Sequence, residues 1–236
     1  MTGSGHLRFQ VGGKGAPLIL LHGLAGSSEW WQRNFDACCA CFETYRVDLA
    51  GFGESRRLGR FDLLASVQSL LNWMDGRRIE RAHFVGHSMG GLIAARLAAL
   101  APDRVGKLVL VDAAFLRFDP GVIKRGVGFA LEARQASPEV VAMFVRDSLR
   151  AHPLSAVTAT SQLLRSDWRD DLHKIKAPTL IIWGALDKVT PLKIGEAIKA
   201  AIPGSKLVII DQAGHNVMWD QPDRFNHELL TFLCSS

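Results

Sequence analysis

The sequence predicts an α/β fold in which helices cover both faces of a mostly parallel, doubly wound sheet of about seven strands. Three observations predict it. Short apolar runs alternate with helical patterns along most of the chain. Several of those runs are apolar at every position, which is typical of strands buried on both faces. The 236 residues are 48% hydrophobic and 22% charged, a composition that suits one sizeable globular core.

Seven apolar runs are predicted as strands. They lie at about 7–11, 17–22, 42–48, 82–87, 107–112, 178–183 and 205–211. The stretches 18–21, 108–111 and 180–183 show no alternation of polar and apolar residues, so we place them in the centre of the sheet. Only about one strand fits before residue 17, so we expect about seven strands.

Five helical patterns separate these runs. They lie at about 29–40, 62–76, 89–101, 191–201 and 222–234. In open sheets of this kind, functional sites gather where the carboxyl ends of the strands meet. We therefore look for functional residues in the loops that follow the strands.

The interval 115–177 breaks the alternation, because it contains helical stretches but no convincing strand. The stretches open at Pro120-Gly121, Ser137-Pro138 and His152-Pro153. Apolar residues follow at roughly helical spacing: Val140, Val141, Phe144, Val145 and Leu149. We predict a core formed by 1–114 and 178–236, with 115–177 inserted as a helical cap (lid). The alternative, that these helices are ordinary crossovers, is disfavoured because about sixty residues separate the neighbouring strands.

Charge and hydropathy exclude several classes of protein. The net charge is +5, but its 28 basic residues are interspersed with 23 acidic ones and form no basic helix, so a nucleic-acid partner is not expected. No apolar run approaches the ~18 residues of a membrane helix. The first residues lack the basic and apolar regions of a signal peptide, so we expect a cytoplasmic protein. Nothing in the sequence separates a monomer from a homodimer.

No cofactor or metal is predicted. Gly51-Phe52-Gly53 lacks the third glycine of a dinucleotide site, and no phosphate-binding P-loop occurs. His83 and His87 are four residues apart, but they lie in a predicted strand rather than on a helix. The four cysteines, at 38, 39, 41 and 234, fit neither a disulfide framework nor a zinc site, so we expect unreactive thiols.

The stretch Gly86-His87-Ser88-Met89-Gly90 lies between a predicted strand and a predicted helix. This G-x-S-x-G pattern is typical of a tight strand-to-helix turn that exposes a nucleophilic serine. A serine hydroxyl is a poor nucleophile at neutral pH, so it needs a base within hydrogen-bond reach and an acid that orients the base. The rest of the chain must supply both.

Two loops after later strands supply candidates in the order acid, then histidine, that enzymes with this turn follow. Asp187 follows one buried strand and His215 follows the next. Asp112 and Asp211 also end predicted strands and remain alternatives for the acid. Asp187 is preferred because it alone lies in a loop long enough to reach a histidine.

The other histidines are weaker candidates for the base. His87 is adjacent to Ser88 and projects elsewhere, while His83 begins its strand and is expected to be structural. Four more histidines do not follow the carboxyl end of a predicted strand: His6, His152, His173 and His227. His22 does follow one, and it opens a glycine-rich loop.

Attack on a carbonyl creates an oxyanion, which needs hydrogen-bond donors fixed in advance. Met89 begins a helix, so its backbone N–H and the helix dipole point towards the developing charge. The loop 22–28, with the sequence HGLAGSS, follows a strand and offers a second N–H, most plausibly that of Leu24. The alternative is that its glycines only form a turn.

These motifs together resemble the α/β-hydrolase superfamily over roughly residues 15–230. The resemblance is carried by five stretches: His22-Gly23, Asp48-Leu49-Ala50-Gly51-Phe52-Gly53-Glu54-Ser55, Gly86-His87-Ser88-Met89-Gly90-Gly91, Trp183-Gly184-Ala185-Leu186-Asp187 and Gly214-His215. It implies that Ser88 is the nucleophile, Asp187 the acid and His215 the base, with Leu24 and Met89 at the oxyanion hole. Relatives that open epoxides or displace halide carry aspartate at this strand-to-helix turn, the nucleophile elbow. Serine at position 88 therefore argues against both activities.

The expected substrate is a small molecule with an apolar acyl or alcohol group. The predicted cap is rich in Val, Phe, Leu and Ala, and Trp30 and Val217 are predicted to line the pocket with Leu24 and Met89. We therefore expect a serine esterase-like enzyme, a carboxylesterase for esters of small to medium apolar acyl chains.

Two other functions remain open. Trp219, four positions after His215, is reminiscent of hydrolases that cleave carbon–carbon bonds in ring-fission products. The tryptophan that those enzymes often carry directly after the histidine is Asn216 here. A non-catalytic ligand-binding protein on the same fold is the third possibility, but it would need a broken triad, and none of the three positions is broken.

Overall fold

A seven-stranded sheet organises the protein in the computed structural model, which describes residues 7–115, 117 and 137–235. The strands are β1 Phe9–Gly12, β2 Pro17–Leu21, β3 Glu43–Val47, β4 Ala82–His87, β5 Val105–Val111, β6 Thr179–Gly184 and β7 Lys206–Ile210. Their order across the sheet is β1-β3-β2-β4-β5-β6-β7. Strand β1 runs antiparallel to β3, and every other neighbouring pair is parallel. The predicted mostly parallel sheet of seven strands is confirmed.

Helices flank the sheet. They are α1 Gln32–Cys39, α2 Leu63–Asp75, α3 Met89–Leu100, α4 Pro138–Arg150, α5 Ser155–Arg165, α6 Leu192–Ala201, α7 Val217–Asp220 and α8 Pro222–Cys234. The predicted helix 29–40 begins as a 3-10 turn at Ser28–Trp31, where the Ser27 side chain accepts from Glu29 N.

The central strands bury side chains on both faces, as their unbroken apolar runs predict. On β2, Ile19 and Leu21 pack with α2 and α3, while Leu18 and Leu20 pack with α1 and α8. Strand β5 alternates in the same way between the two faces. Each face therefore has its own apolar cluster, which is the arrangement of a doubly wound sheet.

Within the interval 115–177, the described residues form α4, α5 and a 3-10 turn at Arg169–Lys174, and no strand. The predicted helical start at Pro120-Gly121 lies outside the described residues. Helix α4 opens as its sequence predicts, with Pro138 in the first turn and the Ser137 hydroxyl accepting from Val140 N. The division of the chain into core and cap stays a prediction.

The buried face of α4 includes a carboxylate. Its buried residues are Val140, Met143 and Asp147. Of the apolar residues noted in the sequence, Leu149 is 82% exposed and Val145 is about half exposed. The apolar spacing therefore predicts the helix but does not by itself identify its inward face.

Helix α5 is tied to the loop that follows β3. The Ser155 hydroxyl accepts from Phe61 N at 2.9 Å, and the Gln162 side-chain oxygen accepts from Leu63 N at 2.8 Å. His152 N also donates to Gly51 O at 2.9 Å. These bonds join the segment after α4 to the edge of the sheet where strands β2, β4 and β5 end.

In the part of the chain that the structure describes, no helix combines the length and apolar character needed to cross a membrane. The four cysteines are free thiols, with Cys38 buried and Cys41 and Cys234 exposed. Burial raises the pKa of Cys38 to about 12, so this thiol stays protonated and unreactive at neutral pH.

Candidate active site

Ser88 lies on a strained turn between β4 and α3. Its backbone is at φ +51° and ψ −114°, a conformation that a serine adopts only when its surroundings impose it. Two backbone bonds do so: Ser88 N donates to Val111 O at 2.8 Å, and Ala114 N donates to Ser88 O at 3.0 Å. The neighbouring strand β5 and the segment after it therefore hold the turn in place.

The glycines on either side of Ser88 are required by space. A Cβ atom at Gly86 would lie 2.4 Å from Gly90 O, and one at Gly90 would lie 2.5 Å from Leu21 O. Both distances are far below van der Waals contact with backbone atoms that are themselves fixed by the sheet. The G-x-S-x-G spacing therefore follows from the close approach of α3 to β4 and β2.

The structure brings together the three side chains that the sequence selects. His215 Nε2 lies 3.1 Å from Ser88 Oγ, and His215 Nδ1 lies 2.8 Å from Asp187 Oδ2. Because the carboxylate only accepts, Nδ1 carries the proton and Nε2 is left to accept from the serine hydroxyl. All three residues are buried, with Ser88 7% exposed. This geometry is the one that a nucleophile, its base and an orienting acid need for acyl transfer, and the catalytic roles of the three residues stay predictions.

The loop after β6 immobilises the acid. Asp187 Oδ1 accepts from Val189 N and Thr190 N, both at 2.8 Å, and the Thr190 hydroxyl donates to Asp187 Oδ2 at 2.6 Å. Thr190 is a residue of the site that was not predicted from the sequence. The D-x-x-T spacing of Asp187 and Thr190 is the signal that could have identified it, because it is typical of an aspartate that accepts from the backbone two and three residues ahead.

The two alternative acids occupy other positions. His215 pairs with Asp187, while the fully buried Asp112 accepts from Gly184 N at 2.9 Å, at the start of the Asp187 loop. Burial, reinforced by the negative charge of Asp187, raises the pKa of Asp112 well above its usual range. Burial and the neighbouring charge therefore favour the protonated form of Asp112. Asp211 is exposed.

Two further buried histidines surround the site without reaching the serine hydroxyl. His22 donates from Nδ1 to Gly23 O at 2.8 Å and accepts from Leu49 N at 3.0 Å. His87 donates from Nε2 to His215 O at 2.8 Å. Burial lowers the pKa of His22, and burial together with the neighbouring His215 lowers that of His87 well below its usual value. Both imidazoles are therefore neutral, and each forms hydrogen bonds to backbone groups around the site.

Acid is expected to destabilise the protein through these two histidines. Their pKa values are lowered in the folded state, so below about pH 6.5 the unfolded chain binds protons that the folded chain does not. The free energy of unfolding should therefore decrease as the pH is lowered, with a slope that approaches about 1.4 kcal/mol per pH unit for each histidine. Urea unfolding at a series of pH values from neutral to mildly acidic measures this slope.

The variant His87→Gln should remove one histidine's share of that slope. The matched control is His173→Gln, because His173 is exposed and its loss should leave the slope unchanged. A His87→Gln slope equal to that of the wild type would contradict the assignment of His87 as a buried neutral group.

The predicted oxyanion loop 22–28 lies against the nucleophile. A Cβ atom at Gly23 would lie 3.2 Å from Ser88 Cβ and 2.9 Å from His87 Nδ1. Gly26 N donates to Gly23 O at 3.2 Å, and Ala25 between them is at φ +55°. Met89 is fully buried at the start of α3. The donor roles of Leu24 and Met89 stay predictions.

Two of the residues predicted to line the pocket, Trp30 and Val217, are buried in the apolar cluster that contains α1 and α8. Val217 is fully buried there, and the Trp30 ring stacks on the His87 ring at 6.2 Å between centroids. Their contact with substrate stays a prediction. Trp219 donates from its indole N–H to Trp30 O at 2.6 Å and packs under Arg33. The Trp219 indole therefore contacts both the segment before α1 and a side chain of α1.

The site contains no donor set for a metal. Within 7–115, 117 and 137–235, no group of three or more His, Cys, Asp or Glu side chains is arranged to hold a metal ion.

Three curated relatives are similar over nearly the whole chain. The chain is 31% identical over 246 residues to the dihydrolipoyllysine-residue acetyltransferase component of the acetoin cleaving system of Pseudomonas putida; the match covers 95% of this chain but only 65% of that protein. It is 32% identical to a 2-hydroxy-6-oxononadienedioate/2-hydroxy-6-oxononatrienedioate hydrolase of Paraburkholderia phymatum, over 99% of this chain and 93% of that one. It is 29% identical to a pimeloyl-[acyl-carrier protein] methyl ester esterase of Aliivibrio salmonicida, over 96% and 95%.

The family assignment rests on most of the chain. Residues 18–228 match the Alpha/beta hydrolase family, and this span begins in β2, ends in α8 and includes Ser88, Asp187 and His215. The strand order, the turn at Ser88 and the loops after β6 and β7 agree with that match. The chain therefore belongs to the α/β-hydrolase family.

Proposed function

We propose that the protein is a serine hydrolase that cleaves carboxylic esters through an acyl-enzyme intermediate. One observation carries the proposal: the Ser88 hydroxyl lies within hydrogen-bond reach of His215, which is oriented by Asp187. The similarity to a methyl ester esterase supports an ester as the substrate. The family and the turn support the same chemistry independently of any one relative.

In the first half of the proposed reaction, Ser88 Oγ attacks the ester carbonyl while its proton passes to His215 Nε2. The negative charge moves to the carbonyl oxygen, where the backbone N–H groups of Leu24 and Met89 would donate to it. Asp187 stabilises the imidazolium that forms. The intermediate then collapses, the bond to the alcohol breaks, and His215 returns its proton to the leaving alkoxide.

In the second half, a water molecule attacks the acyl-serine ester. His215 takes a proton from that water and then passes it to Ser88 Oγ as the acid leaves. The net change is addition of one water to the ester, and the enzyme returns to its starting state. No further cofactor is needed for this balance.

The acyl group is proposed to be small to medium and apolar. Helix α4 presents Val140 and Met143 inward, to the apolar cluster that also contains Trp30 and Val217. An apolar acyl group bound beside Ser88 would be shielded from water by such residues.

Carbon–carbon hydrolysis is the second candidate. The observation that favours it is the similarity to a 2-hydroxy-6-oxononadienedioate/2-hydroxy-6-oxononatrienedioate hydrolase over 99% of the chain. The same triad would attack a ketone carbonyl, with a carbon atom in place of the alkoxide as leaving group. Trp219, whose position first suggested this activity, donates its indole N–H to Trp30 O at 2.6 Å.

The test is a panel of p-nitrophenyl esters from acetate to laurate, run beside a vinylogous diketone acid. We expect turnover of the shorter esters by the wild type and none above background by Ser88→Ala. Turnover of the diketone alone would favour the second candidate. The absence of Ser88-dependent turnover of any ester would overturn the proposal.

A further inference from the structure

We infer that Asp147 on helix α4 is a positioning residue for the oxyanion loop, meaning residues 22–28. Asp147 lies far along the chain from that loop and has no part in the triad. The inference deepens the proposed function and rests on it, because the loop matters to catalysis only if it stabilises an oxyanion. It assigns α4 a task besides covering the sheet.

The Asp147 carboxylate is bound by donors from the loop and from the turn that follows it. The Ser27 hydroxyl donates to Asp147 Oδ2 at 2.7 Å, and the Trp30 indole N–H donates to the same oxygen at 3.1 Å. The other oxygen, Oδ1, accepts from Arg146 Nε at 3.0 Å. Asp147 is only 4% exposed, so these bonds replace nearly all of its hydration.

A carboxylate is a costly choice for such a buried position. Burial of a charge is tolerated only when donors and a counter-charge compensate it. Arg146 supplies the counter-charge and also pairs with Glu29 at 2.7 Å, next to the loop. Simple packing of α4 would be met by an apolar residue, as at Val140 and Met143. The carboxylate instead provides a directional link between α4 and the loop.

The loop needs such a link. Both ends of the loop are anchored to the segment that follows β3, because His22 Nε2 accepts from Leu49 N at 3.0 Å and Asp48 Oδ1 accepts from Ser28 N at 2.6 Å. Between them, Ala25 is at φ +55°, a conformation that residues other than glycine adopt reluctantly. Asp147 adds a third anchor at Ser27, from outside the sheet.

The same carboxylate also supports the base. Asp147 fixes the Trp30 indole, which stacks on His87, and His87 donates to the backbone carbonyl of His215 at 2.8 Å. Oxyanion donors and the general base act only when held close to their working geometry, and an error of about 1 Å costs roughly 10²-fold in rate. Loss of Asp147 should therefore lower kcat rather than weaken substrate binding.

The experiment compares Asp147→Ala with Asp147→Asn, measuring kcat and KM separately on the best ester of the panel. We expect Asp147→Ala to lower kcat by roughly 10-fold to 100-fold with little change in KM. Asp147→Asn keeps an oxygen that accepts from Ser27 and Trp30, so it should recover most of that loss. Ser27→Ala, which removes one donor and leaves α4 untouched, should lower kcat by a smaller factor.

The matched control is Glu139→Gln. Glu139 also links α4 to the core, through an exposed ion pair with Arg33 at 2.6 Å, but this pair does not touch the loop. Glu139→Gln should leave kcat unchanged. This result would distinguish positioning of the loop from general attachment of α4 to the core. Amide hydrogen exchange provides the second readout, with faster exchange expected at residues 23–28 in Asp147→Ala and unchanged exchange in the strands.

A kcat of Asp147→Ala within about twofold of the wild type, or an unchanged exchange rate at 23–28, would overturn the inference. Should Asp147→Ala fail to fold, Ser27→Ala decides by the same two readouts. If the wild-type protein turns over no ester, the proposed function fails, whereas the exchange measurement still decides whether Asp147 holds the loop.

Discussion

Replacing Ser88 with alanine is expected to lower kcat for ester hydrolysis by about 10⁴-fold or more, with KM little changed. The substitution removes the atom that forms the acyl-enzyme but leaves the oxyanion loop and the pocket in place. The loss is therefore confined to the chemical step. Steady-state kinetics on the best ester of the panel measure it.

The control for this variant is Ser205→Ala, which removes a hydroxyl from the turn before β7, where it donates only to backbone carbonyls. Its kcat should equal that of the wild type. Urea unfolding should show that Ser88→Ala is folded, because alanine keeps the Cβ atom of serine and the backbone bonds that hold the turn do not involve the hydroxyl. A Ser88→Ala enzyme with a kcat within about tenfold of the wild type would contradict the assignment of the nucleophile.

Replacing Asp187 with asparagine is expected to lower kcat by about 10⁴-fold. The asparagine amide donates towards His215 Nδ1, so the imidazole takes the tautomer with its proton on Nε2 and no longer accepts from Ser88. The charge that stabilises the imidazolium is lost as well. The pH dependence of kcat, measured beside the wild type, should show the loss throughout the neutral range.

The matched control is Asp112→Asn, which changes the neighbouring buried carboxyl in the same way. Burial and the charge of Asp187 favour the protonated form of Asp112, so an amide of the same shape should leave kcat nearly unchanged. Because the pKa of Asp112 is raised in the folded state, the wild type loses stability as the pH rises through that pKa, and the stability of Asp112→Asn relative to the wild type should increase with pH. Loss of activity in Asp112→Asn but not in Asp187→Asn would show that the acid had been misassigned.

The sheet could be predicted from the sequence because its central strands are buried on both faces. At 18–21 and 180–183 every side chain is apolar, and the structure buries each of them. The turn at Ser88 was predictable for a similar local reason, since no residue with a Cβ atom fits at Gly86 or Gly90. Such features are visible in a short stretch of sequence.

The candidate site was predictable where chain order and strand ends determine it. Asp187 was preferred to Asp112 on the length of its loop, and the hydrogen bond to His215 is made by Asp187. The chain order and the loop length can both be seen in the sequence without knowledge of contacts between distant residues. The catalytic roles themselves stay predictions until kinetics are measured.

The remaining residues could not be predicted because their roles depend on distant contacts. Asp147 occurs in a helix that the sequence identifies only by its apolar spacing, and its partners Ser27 and Trp30 lie more than a hundred residues away. Trp219 suggested carbon–carbon hydrolysis by its distance from His215, whereas its hydrogen bond to Trp30 O could not be predicted. Sequence patterns report local geometry and periodicity, whereas these pairings are set by how α4 and α7 dock.

The most direct test of the central claim is rapid quenching of the wild-type enzyme during turnover of a p-nitrophenyl ester, followed by mass analysis of its peptides. If Ser88 attacks the carbonyl with His215 as base, the acyl group should appear on the peptide that contains Ser88, and it should be absent in Ser88→Ala. Ester turnover with no acyl group on that peptide, or with the acyl group on another residue, would contradict the account.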